Sequence, residues 1–333
     1  MELKREVLSS QFLDPRRDFQ PTTGSVEVRW DPLTGRASRL VQGSNLLPTS
    51  NFDLAALAEE TRGSCFFCPE RVEQVTPTLP PELHPDGRIR RGRALLFPNI
   101  VTYAQYSAVS VYSPDLHFIP LEHMTPRLLA DNLATQVEFA GTVMRHDGRA
   151  QWASINANHM LPSGSSLFHP HIQSSIDPFP STVQRLLVEV GGGQFEDYLA
   201  TEQRLGERYL GGTGRVAWLA SFAPLGFNEV RALVPGLCSP AEMDDELVEE
   251  LGAGIAAALN LYAELGQQSF NLAVYGAPLR TDGYMLTLSL ICRSNVEPLY
   301  RADGTYFERL HWQAMVDSTP EALAERGRGR FGR

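Results

Sequence analysis

The sequence predicts an α+β protein built as two tandem units of one kind, an internal duplication. Three observations predict it. Two β-rich runs, a long helical segment and two further β-rich runs follow one another twice, about 120 residues apart. Each long helical segment opens on a hydroxyl residue and a proline, Thr125-Pro126 and Ser239-Pro240, the cap and first-turn residues that helices favour. The 333 residues, 43% of them hydrophobic, suffice for a core spread over two lobes. We place the units at residues 1–178 and 179–333.

The elements follow in order. VEVRWDPLTGRASRLV (26–41) reads as two short strands around a Pro-Leu-Thr-Gly turn. QGSNLLPTSN is loop, and CFFCPERVEQVTPTLPPELHPDG (65–87) reads as irregular, proline-rich chain. ALLFPNI (94–100) and SAVSVYS (107–113) are paired strands. The helix at 125–146 has apolar residues at helical spacing, and WASINAN (152–158) is a strand. A loop then leads to HPHIQSS. In the second half, 181–190 and 195–210 are helical, and AWLASF and EVRALVP are strands. A helix capped by Ser239 runs to about residue 266. FNLAVYG and YMLTLSLICR are strands, and TPEALAERG closes as a helix.

The net charge is −10 and the pI about 5.3, a poor balance for nucleic acid or an anionic membrane surface. The N-terminal stretch has no apolar signal region, and no run approaches the roughly 20 apolar residues of a membrane span. Four cysteines in a chain this long are not a disulfide framework, so a reduced, cytoplasmic protein is expected.

Two cysteines, Cys65 and Cys68, have the two-residue gap that lets both sulfurs reach one tetrahedral metal. A redox pair would want a thioredoxin-like setting, but Pro69 and a proline-rich stretch follow. With no second C-x-x-C, the other ligands must be histidines. Of His84, His117, His123, His146, His159, His169 and His171, we choose His117 and His169, with His123 the competitor of His117. Such a Cys₂His₂ site is closed, hence structural.

GSSLFHPHIQ (164–173) carries two histidines around a proline. Both could ligate a metal. Alternatively His169 faces the metal and Pro170 holds His171 apart as a nucleophile toward phosphorus, an imidazole being competent when its other nitrogen donates to a fixed acceptor. Gln173 could then donate to a phosphate oxygen as charge develops. Gly164, Ser165 and Ser166 offer N–H groups and hydroxyls to neighbouring phosphates, and Asn158 could do the same. The corresponding strand of the second half, MLTLSLICR, has no histidine, so only one copy is expected to keep the chemistry.

N-x5-GSSLFHPHIQ, from Asn158, resembles the active-site signature of the galactose-1-phosphate uridylyltransferase family, nucleotidyltransferases of the histidine-triad superfamily. RWDPLTGR, with Arg29, resembles the family's N-terminal strand motif, CFFCPERVEQVTP its zinc-binding segment, FPNI the stretch whose asparagine (here Asn99) contacts the nucleoside, and VYSPDLHF its histidine-ligand segment with Leu116 inserted. The resemblance implies two histidine-triad-like units and a ping-pong transfer of a nucleoside monophosphate, by default UMP, between a nucleotide sugar and a phosphate-bearing acceptor. Catalysis falls to His171 and Gln173. Substrate binding falls to Asn99, Asn158, Gly164, Ser165, Ser166 and Arg29. One structural Zn²⁺ falls to Cys65, Cys68, His117 and His169, and a homodimer is implied. The chain departs from the family at Ile172, where a small residue is usual, and lacks the late H-x-H pair, so no second metal is expected. Glu308, Arg309, His311 and Gln313 are substrate contacts by location only. A nucleotide-sugar phosphorylase, a histidine-triad hydrolase and a non-catalytic nucleotide binder are the alternatives.

Overall fold

The computed structural model describes residues 1–332 apart from 45, 48, 51 and 299–301. Its elements are β1 (Arg5–Asp14), β2 (Gln20–Trp30), β3 (Ala37–Leu40), α1 (Leu54–Arg62), α2 (Pro69–Val75), β4 (Ile89–Arg91), β5 (Ala94–Pro98), β6 (Tyr106–Val111), α3 (Pro126–His146), β7 (Trp152–His159) and β8 (His171–Asp177). They continue with α4 (Thr182–Glu189), α5 (Gln194–Leu205), β9 (Tyr209–Thr213), β10 (Val216–Ala220), β11 (Phe227–Val234), α6 (Asp245–Glu264), β12 (Ser269–Tyr275), β13 (Leu286–Arg293), α7 (Tyr306–Leu310), β14 (Ala314–Val316) and α8 (Pro320–Gly327).

Ten strands form one sheet in the order β4-β5-β6-β8-β7-β12-β13-β11-β10-β9. The order reads the same from either end once β9 to β13 are matched to β4 to β8. The duplication is therefore real: each unit is a five-stranded antiparallel sheet with its long helix between the third and fourth strands. The units meet where β7 pairs with β12 over Ser154–His159, with Asn158 opposite Asn271. This single seam turns two sheets into one.

Strand alternation assigns the two faces. Along β7, Ala153, Ile155, Ala157 and His159 are buried while Ser154, Asn156 and Asn158 are half-buried. The buried row lies under α3 and α6. These helices pack on each other so closely that a Cβ at Gly252 would stand 3.0 Å from the Pro126 carbonyl and 3.1 Å from the Ala130 nitrogen. Leu129, Leu133, Leu251, Ile255, Leu259, Val230, Leu272 and Leu290 make this core continuous across both units. Each such leucine or isoleucine contributes roughly 1.5–3 kcal/mol by leaving water. The other face of β8 and β7 carries the polar row, flanked on β6 by Val109 and Val111.

A second sheet, β1-β2-β3-β14, joins chain ends: Ala314 of β14 pairs in parallel with Ser38 of β3. The expected strands at 26–41 are β2 and β3. The hairpin arm β1–β2 is an addition to expectation, and so is α2 within the stretch read as irregular. There Pro69 starts a helix with Cys68 as the cap position. The helix expected from Ser239 also needs correcting. Ser239 caps a separate 3₁₀ turn, Pro240–Glu242, and α6 starts after Asp244, whose carboxylate accepts from the Leu247 N–H. Among the described residues no helix is long and apolar enough to cross a membrane.

Candidate active site and metal centre

Cys65, Cys68, His117 and His169 converge, all buried, with one ligand atom from each lying within 4.8 Å of the others. Cys65 Sγ is 3.5 Å from His169 Nδ1, and Cys68 Sγ is 3.3 Å from His117 Nδ1 and 3.8 Å from His169 Nδ1. Tetrahedral zinc with bonds of about 2.3 Å to sulfur and 2.0–2.1 Å to nitrogen separates S from N by about 3.5 Å, so the four residues fit such an ion. The far nitrogens agree. His169 Nε2 donates to the Ser113 carbonyl (3.0 Å) and His117 Nε2 to the Ala58 carbonyl (2.9 Å), which fixes both tautomers with Nδ1 bare toward the centre. Burial pulls the His169 pKa down to about 3, keeping its ring neutral, and pushes the Cys68 thiol up to about 12 with Cys65 adding to the effect. A bound metal would take the cysteine sulfurs as thiolates. His123, the competitor for His117, is exposed on a 3₁₀ turn and does not join the cluster. The inserted Leu116 is absorbed in a turn in which its N–H bonds the Ser113 carbonyl.

Two residues on, His171 faces elsewhere. It is the first residue of β8, paired with Val111 of β6. Its Nδ1 donates to the His169 carbonyl at 2.9 Å, which leaves Nε2 with a free lone pair. Burial holds its pKa below the usual histidine value, against the opposing pull of that carbonyl. Phe67, between the two cysteines, packs edge-on against both His169 (5.8 Å) and His171 (5.4 Å), so the Cys65–Cys68 loop steadies the His171 ring. Pro170 separates two histidines with different surroundings: His169 joins the cysteine–histidine cluster and His171 does not, so the reading in which both ligate one metal is not the arrangement found.

The polar row places the others. Gln173 shares the face of His171 and stands opposite Asn156 of β7 and Val109 of β6. Ile172 points to the other face, fully buried in the helix-covered core, with Gln136 Nε2 donating to its carbonyl (3.1 Å). Its bulk therefore never enters the site. Asn158 lies beside Gly164, where a Cβ would be 3.8 Å from Asn158 Nδ2. Gly164 sits at φ +96°, a conformation that only glycine adopts without strain. The Gly164 and Ser165 N–H groups bond inward, to the carbonyls of Leu161 (2.9 Å) and Met160 (3.4 Å), and the Ser165 hydroxyl donates to the Leu167 carbonyl (2.7 Å). Ser166 is exposed. Asn99 follows β5, its N–H on the Ser107 carbonyl (3.0 Å). Its Nδ2 and the Ser107 hydroxyl are buried without a partner among the described residues, a pair of unfilled polar groups near the far end of β8.

Arg29 is not brought to this group. It is buried, donating to Glu321 Oε1 (2.8 Å), Glu27 Oε1 (3.1 Å) and the Phe222 carbonyl (3.3 Å). Nearby Arg231 donates to Asp31 at 2.7 Å, so the RWDPLTG segment fastens the small sheet to the second unit by buried ion pairs. Glu308 closes a capping box on α7 with Thr305, Gln313 accepts from Arg39 Nε (3.1 Å), and His311 stacks near Tyr306 and Phe307. Arg309 is exposed beside a cavity of about 230 Å³ shared with Arg36, Arg293, Asp303 and Glu308. Sequence reasoning did not single out Asn271 and Arg293. Asn271 reaches Asn158 across the seam, and no local spacing announces it.

The fold is that of two tandem histidine-triad-like units. It is shared with solved structures of an ADP-glucose phosphorylase from Arabidopsis thaliana (TM-score 0.68, 17% identity, 91% of this chain and 99% of that one) and a GalT-like protein from the same plant (TM-score 0.67, 17%, 91% and 98%). A uridylyltransferase structure matches with TM-score 0.62 at 19% identity, over 91% and 98% of the chains. No protein-family model matches. In sequence, the chain is 30% identical over 332 residues to an uncharacterized protein of Archaeoglobus fulgidus, covering 98% of this chain and 97% of that one, and it belongs to that protein's family.

Proposed function

We propose that the chain is a nucleotidyltransferase that carries a nucleoside monophosphate on His171. The single observation that carries this reading is the His171 ring, with Nδ1–H anchored on the His169 carbonyl and Nε2 bare on the polar face beside Gln173 and Asn156. The Nε2 lone pair attacks the α-phosphorus of a nucleotide sugar. A P–N bond forms, the P–O bond to the sugar phosphate breaks, and the sugar phosphate leaves with that electron pair. The ring keeps its Nδ1 proton and gains positive charge, which the His169 carbonyl stabilises. A phosphate oxygen of the acceptor then attacks phosphorus, the P–N bond breaks, and neutral His171 returns. Gln173 Nε2 and the Asn158 amide donate to the non-bridging oxygens, and Ser166 serves a neighbouring phosphate. The orphaned Asn99 Nδ2 and Ser107 hydroxyl suit the nucleoside.

Cys65, Cys68, His117 and His169 would hold one structural zinc ion, which would stiffen the loop under His171. UDP-sugars are the default donors from the sequence resemblance, and ADP-sugars join them because the fold neighbour is an ADP-glucose phosphorylase. The acceptor is a sugar phosphate or inorganic phosphate. Four free thiols suit a reducing cytoplasm. The expected homodimer would use the unpaired edge of β1, where Val7 and Leu13 are 63% and 61% exposed.

The test is intact-mass analysis after mixing with UDP-glucose, UDP-galactose and ADP-glucose. A gain of one UMP or AMP, mapped to His171 and absent in His171→Ala, supports the reading. No adduct from any of these donors, in zinc-loaded protein, sinks it.

A further inference from the structure

A chain of four side chains runs from the second unit into the first. Asp303, 3% exposed, grips Arg293 by two bonds, from Nε (2.7 Å) and Nη2 (2.5 Å). Arg293 Nη1 donates to Asn271 Oδ1 (2.5 Å). Asn271 Nδ2 donates to Asn158 Oδ1 (2.5 Å) and to the Ser163 carbonyl (2.9 Å), the residue before Gly164.

The polarity of this chain is forced. An arginine can only donate, so it obliges Asn271 to turn its oxygen toward Arg293. The Asn271 –NH₂ group must then face Asn158 and Ser163, and both its hydrogens are used. Asn158 must in turn offer its oxygen to Asn271, which leaves its own –NH₂ toward the Gly164 loop. An asparagine has no intrinsic preference between its two ends; here the direction is imposed from across the seam by a buried ion pair.

We propose that Asn271 and Arg293 are positioning residues that fix the Asn158 amide with its donor end toward the transferred phosphate and hold the loop at Ser163 in place. The unit that lacks the histidines thereby completes the site of the unit that has them. The proposal rests on the nucleotidyl-transfer reading for its catalytic consequence, but the orientation of Asn158 stands apart from that reading.

The substitution Asn271→Asp separates orientation from shape. Aspartate keeps the size and still accepts from Arg293, but it has no hydrogen for Asn158, which must reverse and present oxygen to the phosphate. Two measurements on the zinc-loaded full chain follow. In ¹H–¹⁵N spectra, the side-chain amide of Asn158, assigned by its loss in Asn158→Asp, is expected to shift downfield and exchange more slowly in Asn271→Asp as it donates to the new carboxylate. An unmoved Asn158 signal overturns the proposal whatever the activity. In single-turnover formation of the His171 adduct, Asn271→Asp is expected to slow the step by about 10²–10³-fold, the range for losing or reversing one donor at a developing charge. Asn271→Ala, which only removes the tie, should slow it by about 10–100-fold. Arg293→Lys, another donor-only group, should recover most of what Arg293→Leu loses, with donor affinity and zinc content changed little. Equal losses in Lys and Leu, or a loss confined to affinity or zinc content, overturn it. If the unmodified chain forms no adduct, the transfer reading fails and the spectral arm alone decides the orientation.

Discussion

One face of the long sheet differs between the two units. In β8 the residues turned away from the long helices are His171, Gln173 and Ser175, a half-buried polar row; in β13 they are Thr287, Ser289 and Ile291, with Ser289 donating to buried Glu229 (2.8 Å). Leu286, Leu288 and Leu290 point the other way, into the helix-covered core, as Ile172 does. The same backbone therefore presents an imidazole and an amide in one copy and ion-pair packing in the other. What distinguishes them is cover: β8 starts beside the cysteine–histidine cluster, while on the same face of β11 Arg231 is buried against Asp31 and Glu229. At the seam, Asn271 and Arg293 of the second unit extend a hydrogen-bonded chain to Asn158 of the first.

The sharpest way to break this comparison is to truncate one residue on each face, His171 on the polar row of β8 and Leu286 on the core side of β13. His171→Ala is expected to lower adduct formation by at least about 10⁴-fold, with melting temperature little changed, read by mass spectrometry and thermal denaturation. Leu286→Ala should do the reverse, costing about 2–5 kcal/mol of stability in denaturant unfolding while a saturated, folded sample still forms adduct. If Leu286→Ala abolishes the adduct in folded protein, the division of labour is wrong.

Next in size is the metal. Cys68→Ser should lose the ion, as read by elemental analysis. It should also raise proteolysis around 54–75, because α1 and α2 are held against the sheet through this cluster and the small apolar groups beside it. Unchanged zinc content in that variant would remove the centre from the first unit's account. Gln173→Leu keeps the size but removes the amide, and should slow adduct formation by about 10²-fold while donor affinity moves less.

The smallest effect concerns His159, buried at the seam and stacked on Phe270 at 5.0 Å. Burial pulls its pKa down to about 3, with the charge of His171 adding to the effect. A base depressed in the folded state takes its proton first when unfolded. Its contribution to stability is therefore complete above the unfolded histidine value of about 6.5 and is lost progressively as pH falls below it, down to about 3. His159→Gln should narrow the drop in melting temperature between pH 7.5 and pH 5.5. An unaltered or wider drop would show that the seam carries no such load.

Much of the site was legible because its signals are local. The asparagine, the glycine-serine step and H-P-H-x-Q lie within sixteen residues, and C-x-x-C needs only histidines to complete it. The repeated order of strands and long helices was legible because burial on one face leaves periodicity. The rest lacked such marks. The β1–β2 arm is solvent-exposed, so burial never shaped an alternation along β1. The prolines after Cys68 read as breakers, although one of them starts α2. Arg29 stands in a familiar motif, but its partner Glu321 is 292 residues away. Asn271 meets Asn158 across 113 residues of chain, a pairing that only the seam creates.

The seam also sets a timetable for the molecule's synthesis. Until the ribosome has delivered β12, the first unit carries β7 with a bare hydrogen-bonding edge, a surface prone to pairing with strangers. His171 and Gln173 are made early, but the hydrogen-bonded chain that reaches Asn158 is whole only after Asp303 has emerged. A nascent chain of this protein must stay guarded, by its own collapse or by a chaperone, for more than a hundred residues of elongation.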